Sequence, residues 1–319
     1  MDSAGNPFPS NVNVLLGYRT FSGGGSFSNG RSFDPATGTF QLTNVAPGDY
    51  TVQIQLPDQN PILLSGPIDA ATAAARNAAQ ASRPSAYVPI RVADADIDGV
   101  VLNLTSGVTV AGRFVVEEQP LSVLPSIQQM SLAFSNAVQQ FSPAIPLPAG
   151  LPAAADGTFQ VQGLREGEYR ITLRGPSPAT SGFYVKSIQY GGDDILAKPF
   201  RFSGSGAGTF EVTLRRGAAQ VSGNVTDGRL QSAAGLQVAL IPAQRNRTDL
   251  FRTAITDQTG HFSLTGLTPG EYKLFSWEAI DNGAFYDADF LQQYEPLGKA
   301  IQVAESSNQT ADVKLIPAP

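Results

Sequence analysis

Cysteine is absent from the 319-residue chain. That excludes disulfides, thiolate metal sites, cysteine-linked haem and cysteine nucleophiles. Histidine is almost absent too, with His261 the single one. A lone imidazole cannot build a histidine metal cage or find a second histidine for hydrolytic chemistry. Charge is scarce, at 15% of residues, where an average chain carries about 25%. Acids outnumber bases by 27 to 21, the net charge is −6, and the longest basic run is Arg215-Arg216. Binding nucleic acid through its phosphates needs a basic patch, so that partner class is excluded. No apolar run reaches the ~20 residues of a membrane-spanning helix. The opening MDSAGNPFPS has neither the basic region nor the apolar core of a secretory signal. An exported protein with this start is expected to be a mature or excised fragment.

What is present is a hydrophobic fraction of 42%, enough for packed cores and too high for wholesale disorder. With so little charge, the polar surface must be mainly Ser, Thr, Asn, Gln and Gly, as in many exported β proteins. One pattern occurs three times. It reads DPATGTFQLTNVAPGDYTVQIQL at 34–56, DGTFQVQGLREGEYRITL at 156–173 and DQTGHFSLTGLTPGEYKLF at 257–275. In each copy a Phe precedes a Tyr by ten residues: Phe40 and Tyr50, Phe159 and Tyr169, Phe262 and Tyr272. Each Tyr follows a Gly and an acid. Phe40 and Leu42 alternate, as do Tyr50, Val52, Ile54 and Leu56, the period of a half-buried strand. The spacing predicts a β-hairpin in each copy. The opening Asp and Gly would form one turn, and the Gly before the acid would supply positive φ at the other.

A second repeated element sits at the joins. VVLNLTSGVTVAGRFVV at 100–116 and FEVTLRRGAAQVSGNV at 210–225 each hold two alternating runs around a Gly-containing turn. The first run reads as the last strand of one domain and the second as the first strand of the next. The chain ends on ADVKLIPAP, matching the last-strand run. The expected fold is all-β, three tandem Ig-like sandwich domains at 1–106, 107–217 and 218–319 with short linkers. Domain one lacks its first strand. DSAGNPFPSNVNVLL aligns with TDGRLQSAAGLQVAL of domain three, and only Met1 precedes it. The missing strand marks either a fragment boundary or an open sheet edge of the kind that acquires a partner.

The V-x-G-x-V strand, the D-x-x-G-x-F turn and the P-G-E-Y or E-G-E-Y element resemble the carboxypeptidase-regulatory-like domains, also described as prealbumin-like or collagen-adhesin B-type. The stretches GFYVKSIQYGGDDIL at 182–196 and GEYKLFSWEAIDNGAFYDADFLQQYE at 270–295 are similar to later parts of such domains in large exported bacterial proteins. The resemblance covers nearly the whole chain. It implies a seven-stranded sandwich serving as spacer, adhesive or accessory module. Some collagen-adhesin B-type domains carry an isopeptide bond from a first-strand Lys to a last-strand Asn or Asp. Here the first strands offer Arg113 and Asn224 and the last strands Asn103 and Lys314, which departs from that pattern.

Few residues suggest chemistry. Asp94, Asp96, Asp98 and Gly99 match the start of a calcium loop, but Thr105 stands where the bidentate Glu belongs and a strand follows where a helix should. A solvated acidic turn is the preferred reading of them, as it is of Asp193-Asp194. The Gly/Ser stretch 18–33 carries Tyr18, Phe21, Phe27 and Phe33, which either fold back on the sandwich or meet a partner. Trp277 and Tyr286, with Phe285, Phe290 and Tyr294, form an aromatic group that suits sugar binding or loop packing. Residues 68–83 are Ala-rich, and Pro143, Pro146, Pro148 and Pro152 mark an extended loop.

No motif selects a catalytic pair or a cofactor. The expected protein is therefore non-catalytic and extracellular, at the cell surface or in the periplasm. It is a stalk or self-assembling fibre subunit completed by strand donation, with a protein partner or its own copies. Alternatives are a carbohydrate-binding or adhesive module, and an accessory part of a larger exported enzyme or outer-membrane transporter.

Overall fold

A computed structural model describes residues 12–20, 23–27, 33–56, 83–136, 147–177, 179, 182–204, 208–227, 231, 233–281 and 283–317. Most of the Ala-rich stretch and Pro143 and Pro146 lie outside them. Among the described residues the chain is all-β with one short α-helix. Its strands fall into three successive groups, and among the described residues no ladder joins one group to the next.

The first group holds β1 (Asn13–Thr20), β2 (Gly23–Phe27), β3 (Phe33–Asp34), β4 (Thr39–Phe40), β5 (Gly48–Gln55) and β6 (Tyr87–Val92). They form a sheet β2-β1-β5-β6 and a separate β3-β4 pair. The second holds β7 (Val108–Val116), β8 (Ser131–Asn136), β9 (Ala149–Gly150), β10 (Thr158–Leu164), β11 (Gly167–Arg174), β12 (Phe183–Tyr190), β13 (Asp193–Asp194), β14 (Phe200–Phe202) and β15 (Phe210–Arg216). These curl into one continuous sheet, β13-β12-β15-β7-β10-β9-β8-β11-β14. The third holds β16 (Ala219–Thr226), β17 (Gln237–Pro242), β18 (Arg252–Ile255), β19 (His261–Leu267), β20 (Gly270–Trp277), the helix α1 (Ala288–Tyr294), β21 (Lys299–Val303), β22 (Asn308–Thr310) and β23 (Val313–Ile316). Its order is β18-β17-β20-β23-β16-β19, with β21 beside β20 and β22 beside β16.

Period-two sequence becomes period-two burial. Along β16 buried and half-buried residues alternate throughout, and β10 buries Phe159 and Val161 while exposing Thr158 and Gln160. The apolar side chains collect into separate cores. One centres on Val14, Leu16 and Val52, one runs from Val110 to Leu214, and two lie within 219–316.

The repeated motif is not a hairpin. β10 pairs with β7 and β9, while β11 pairs with β8 and β14. Likewise β19 pairs with β16, and β20 with β17, β21 and β23. The two strands of each motif thus belong to different ladders, and the link between them is an arch across the sandwich. Both strands are apolar on alternate residues, so a hairpin and an arch share one hydrophobic pattern. The tyrosine hydroxyl distinguishes them. Tyr169 donates to the Arg165 carbonyl at 3.0 Å and Tyr272 to the Thr268 carbonyl at 2.7 Å, each four residues upstream. A buried tyrosine reaching back to its own connection pins a chain that crosses from one ladder to another.

The Gly before the acid has the expected positive φ in the second and third copies, 159° at Gly167 and 157° at Gly270. Positive φ also lies six residues before each tyrosine, at Asn44 (57°), Gly163 (75°) and Gly266 (70°). Asn tolerates that region best after Gly. The opening turns behave as expected. Asp34, Asp156 and Asp257 accept from the backbone N–H two residues on, at 2.9, 3.0 and 2.8 Å.

Burial raises the phenol pKa values of Tyr169 and Tyr272 to about 12, against about 10 in an unfolded chain. The neutral phenol is the form the fold favours. Its contribution is complete below pH about 10 and disappears as pH rises towards about 12. The melting temperature should therefore fall across that interval together with the rise of phenolate absorbance. Tyr272→Phe removes the hydroxyl and leaves the Thr268 carbonyl without it, so urea unfolding should show a loss of about 1 kcal/mol.

Candidate functional site

Closure of the second and third groups depends on the first strand of each. In the second, β15 runs parallel beside β7, with Phe210 opposite Gly112 and Leu214 opposite Val116. On its other edge β7 pairs antiparallel with β10, Gly112 facing Phe159. In the third, β22 and β23 run parallel beside β16, and β16 pairs antiparallel with β19, Gly223 facing Phe262. The first strand therefore sits between the last strand and the strand bearing the motif Phe.

In the first group that place holds no described strand. Residues 100–104 were expected to form the last strand. They keep the alternation, with Val100, Leu102 and Leu104 half-buried and Val101 and Asn103 exposed, but form no ladder. Their nearest backbone pairing is the bridge between Ser85 and Thr105. The motif strand is reduced as well, β4 having two residues where β10 and β19 have seven each. In the other two groups the corresponding strands pair with the first strand, a partner that no described residue supplies here. Between β4 and residues 100–104 lies an open groove of about 1030 Å³, lined among others by Val14, Leu16, Phe40, Leu42, Leu102 and Leu104. Phe40 is half-buried there, whereas Phe159 and Phe262 are only 4% and 1% exposed.

The other sites read from sequence fall in several places. Asp94, Asp96 and Asp98 are exposed, and Asp96 and Asp98 stand at the rim of this groove. Among the described residues, no three Asp, Glu, His or Cys side chains gather as a metal ion requires. Phe33 is half-buried and packs on the first core beside Phe40 and Leu42. The backbone of Tyr18 lies opposite Tyr50, and that of Phe27 opposite Leu16. Their side chains, and Phe21 altogether, lie outside the described residues.

Trp277 is a core residue and offers no face to a sugar. It is 3% exposed and stacks on Phe275 at 5.2 Å between ring centroids. Helix α1 covers it, bringing Phe290 to 6.1 Å and Tyr294 to 5.9 Å. That helix starts on an Asp287 cap accepting from the Asp289 and Phe290 N–H groups. Tyr286 is 56% exposed against Phe251 and Phe285. His261 begins β19 opposite Asn224 and is exposed.

Sequence reasoning missed the joints between groups. Arg165, 5% exposed, lies in the arch of the second copy. It donates to the Gly163 carbonyl at 3.1 Å and reaches across to the Thr105 carbonyl at 3.4 Å and the Arg83 carbonyl. Tyr87 of the first group donates back to the Glu166 carbonyl at 3.3 Å. Desolvation lowers the Arg165 pKa, opposed by Tyr169 and Tyr87. At the second joint the Gly217 and Ala218 N–H groups both donate to the Gly182 carbonyl, and Arg215 holds Glu305 at 2.7 and 3.0 Å. The Arg165 position is Ala46 in the first copy and Thr268 in the third, so nothing in the repeat marks it.

No protein family and no curated protein matches the chain. Several solved structures are similar at low scores. A streptococcal ancillary pilin is 11% identical over 96% of this chain and 92% of its own, with a TM-score of 0.28. The minor pilin of Streptococcus agalactiae is 14% identical over 66% and 98%, with a TM-score of 0.28. A proposed carbohydrate-binding protein from Pseudomonas aeruginosa is 19% identical over 31% and 88%, with a TM-score of 0.22. Scores of this size leave function to be argued from the chain's own residues.

Arg165→Met keeps most of the buried stem and removes the donors. It should cost about 1–3 kcal/mol, the penalty for buried carbonyls losing their partner. Faster hydrogen exchange confined to the segments around Thr105 and Gly163 should accompany the loss.

Proposed function

We propose that the chain is three sandwich domains, 1–106, 107–217 and 218–319, forming a non-catalytic structural module of an extracellular stalk or fibre. Domain one is completed by a strand donated from another chain. The observation that carries this reading is the open groove beside residues 100–104, set against the filled equivalents at β7 and β16. A half-made sheet with both neighbours in place is the geometry of strand addition. The joints support a load-bearing role. Buried Arg165 and the Arg215–Glu305 pair tie each group to the next over linkers of a few residues, and such contacts limit hinge motion.

Electron microscopy of the native material tests the reading. Rods longer than one chain are expected, and Leu102→Lys, which places a charge in the groove, should shorten them to single molecules. Uniform single-chain particles in wild-type native material would overturn it.

A further inference from the structure

Resting on that reading, the structure also specifies the strand that the groove accepts. We infer that domain one binds a separate partner polypeptide through a β-strand of glycine-centred, alternating apolar sequence. That strand runs parallel to residues 100–104 and antiparallel to β4, with its glycine opposite Phe40 and positive charge at its amino-terminal end.

The two filled places within the same chain act as templates. In β7 the inward residues around Gly112 are Val110, Phe114 and Val116, each 5% exposed or less. In β16 those around Gly223 are Ala219, Val221 and Val225, each 2% exposed or less. The glycine is dictated by contact. A Cβ at Gly112 would lie 2.3 Å from the Phe159 ring, and one at Gly223 would lie 2.2 Å from the Ala311 carbonyl oxygen. Main chain or an aromatic ring occupies the space a side chain needs, so only glycine allows the close approach. Phe40 is the first-copy counterpart of Phe159 and Phe262, and it already lines the groove.

Charge sets the end of the strand. In the second group the residue after the glycine, Arg113, meets Glu211 of the parallel last strand at 2.8 Å. In the first group the residues leading into 100–104 bring Asp94, Asp96 and Asp98, all exposed and without an ion-pair partner among the described residues. A parallel strand lays its amino-terminal end beside them, so that end should be cationic. The chain's own glycine-centred strands at β7 and β16 are already built into their cores. A second copy would have to unfold a domain to donate either one, and this favours a distinct partner.

The test uses the full chain and synthetic peptides carrying the β7 sequence with two added lysines, KKVTVAGRFVV. Saturable one-to-one binding is expected. It should weaken at least about tenfold for KKVTVAVRFVV, whose valine must clash at the glycine place. It should also weaken for EEVTVAGRFVV at low salt, with the difference closing as salt rises. Paramagnetic labels on the two peptide ends fix direction, and the amino-terminal label should broaden signals near Asp98. Absence of binding, or indifference to the glycine, would sink the proposal. So would purified chain that assembles with itself and is dissolved by the peptide, which makes a second copy the donor. Self-filling is the remaining outcome against it. Ile62, Leu64, Gly66 and Ile68 repeat the spacing, and peptide binding that appears only after Gly66→Val would assign the place to them. Native rods with no peptide binding leave the structural role standing and remove this inference. Peptide binding with single native particles does the reverse.

Discussion

Each complete sandwich in this chain depends on a parallel ladder between its first and last strands. That ladder is the contact that brings the two ends of a domain together, and the strand it holds supplies the centre of the core. Where it exists, the motif Phe is covered, the motif strand runs to seven residues and the last strand is hydrogen-bonded. In the first group, where the described residues hold no such ladder, all three features are weaker, although the local sequence of β4 and of residues 100–104 follows the same alternation as elsewhere. Apolar alternation alone therefore does not make a strand, because its backbone groups still need a neighbour.

That dependence explains what could be read from sequence and what could not. The threefold Phe and Tyr spacing gave the all-β character and the grouping of strands, because it reports burial, and burial follows side-chain chemistry. Where both segments are described, the alignment of residues 13–16 with 237–240 holds in the ladders, since Leu16 and Leu240 each face the residue two beyond the motif tyrosine. The arch was misread as a hairpin because both links join two half-buried strands through a short polar turn. The discriminating atom is the tyrosine hydroxyl, whose acceptor is a backbone carbonyl of no particular residue type. Trp277 was legible only as sugar binding or packing, for a related reason. An aromatic group has the same composition whether it lines a surface or fills a core, and the short helix that covers it carries too few residues to show a clear helical period.

The joints were invisible for a different reason. Among the described residues Arg165 forms no ion pair, and its acceptors are carbonyls contributed by Arg83, Thr105 and Gly163. A guanidinium can satisfy several carbonyls at once from a planar fork, and nothing in the identity of those neighbours announces it. In a chain with few charges, it is notable where some of them fall. Arg165, and Arg215 with Glu305, lie where one sheet system meets the next.

The parallel ladder also has a mechanical consequence. With first and last strands side by side and pointing the same way, the chain enters a sandwich at one end and leaves it at the other. Tension applied through the backbone then pulls β7 and β15 past each other along their length. Their bonds are stressed together, instead of parting one after another from an end. The second and third strand groups are arranged to resist extension in this way. On the reading proposed above, the first group would gain the same resistance from a donated strand, and that borrowed ladder would pass force between chains without a covalent link.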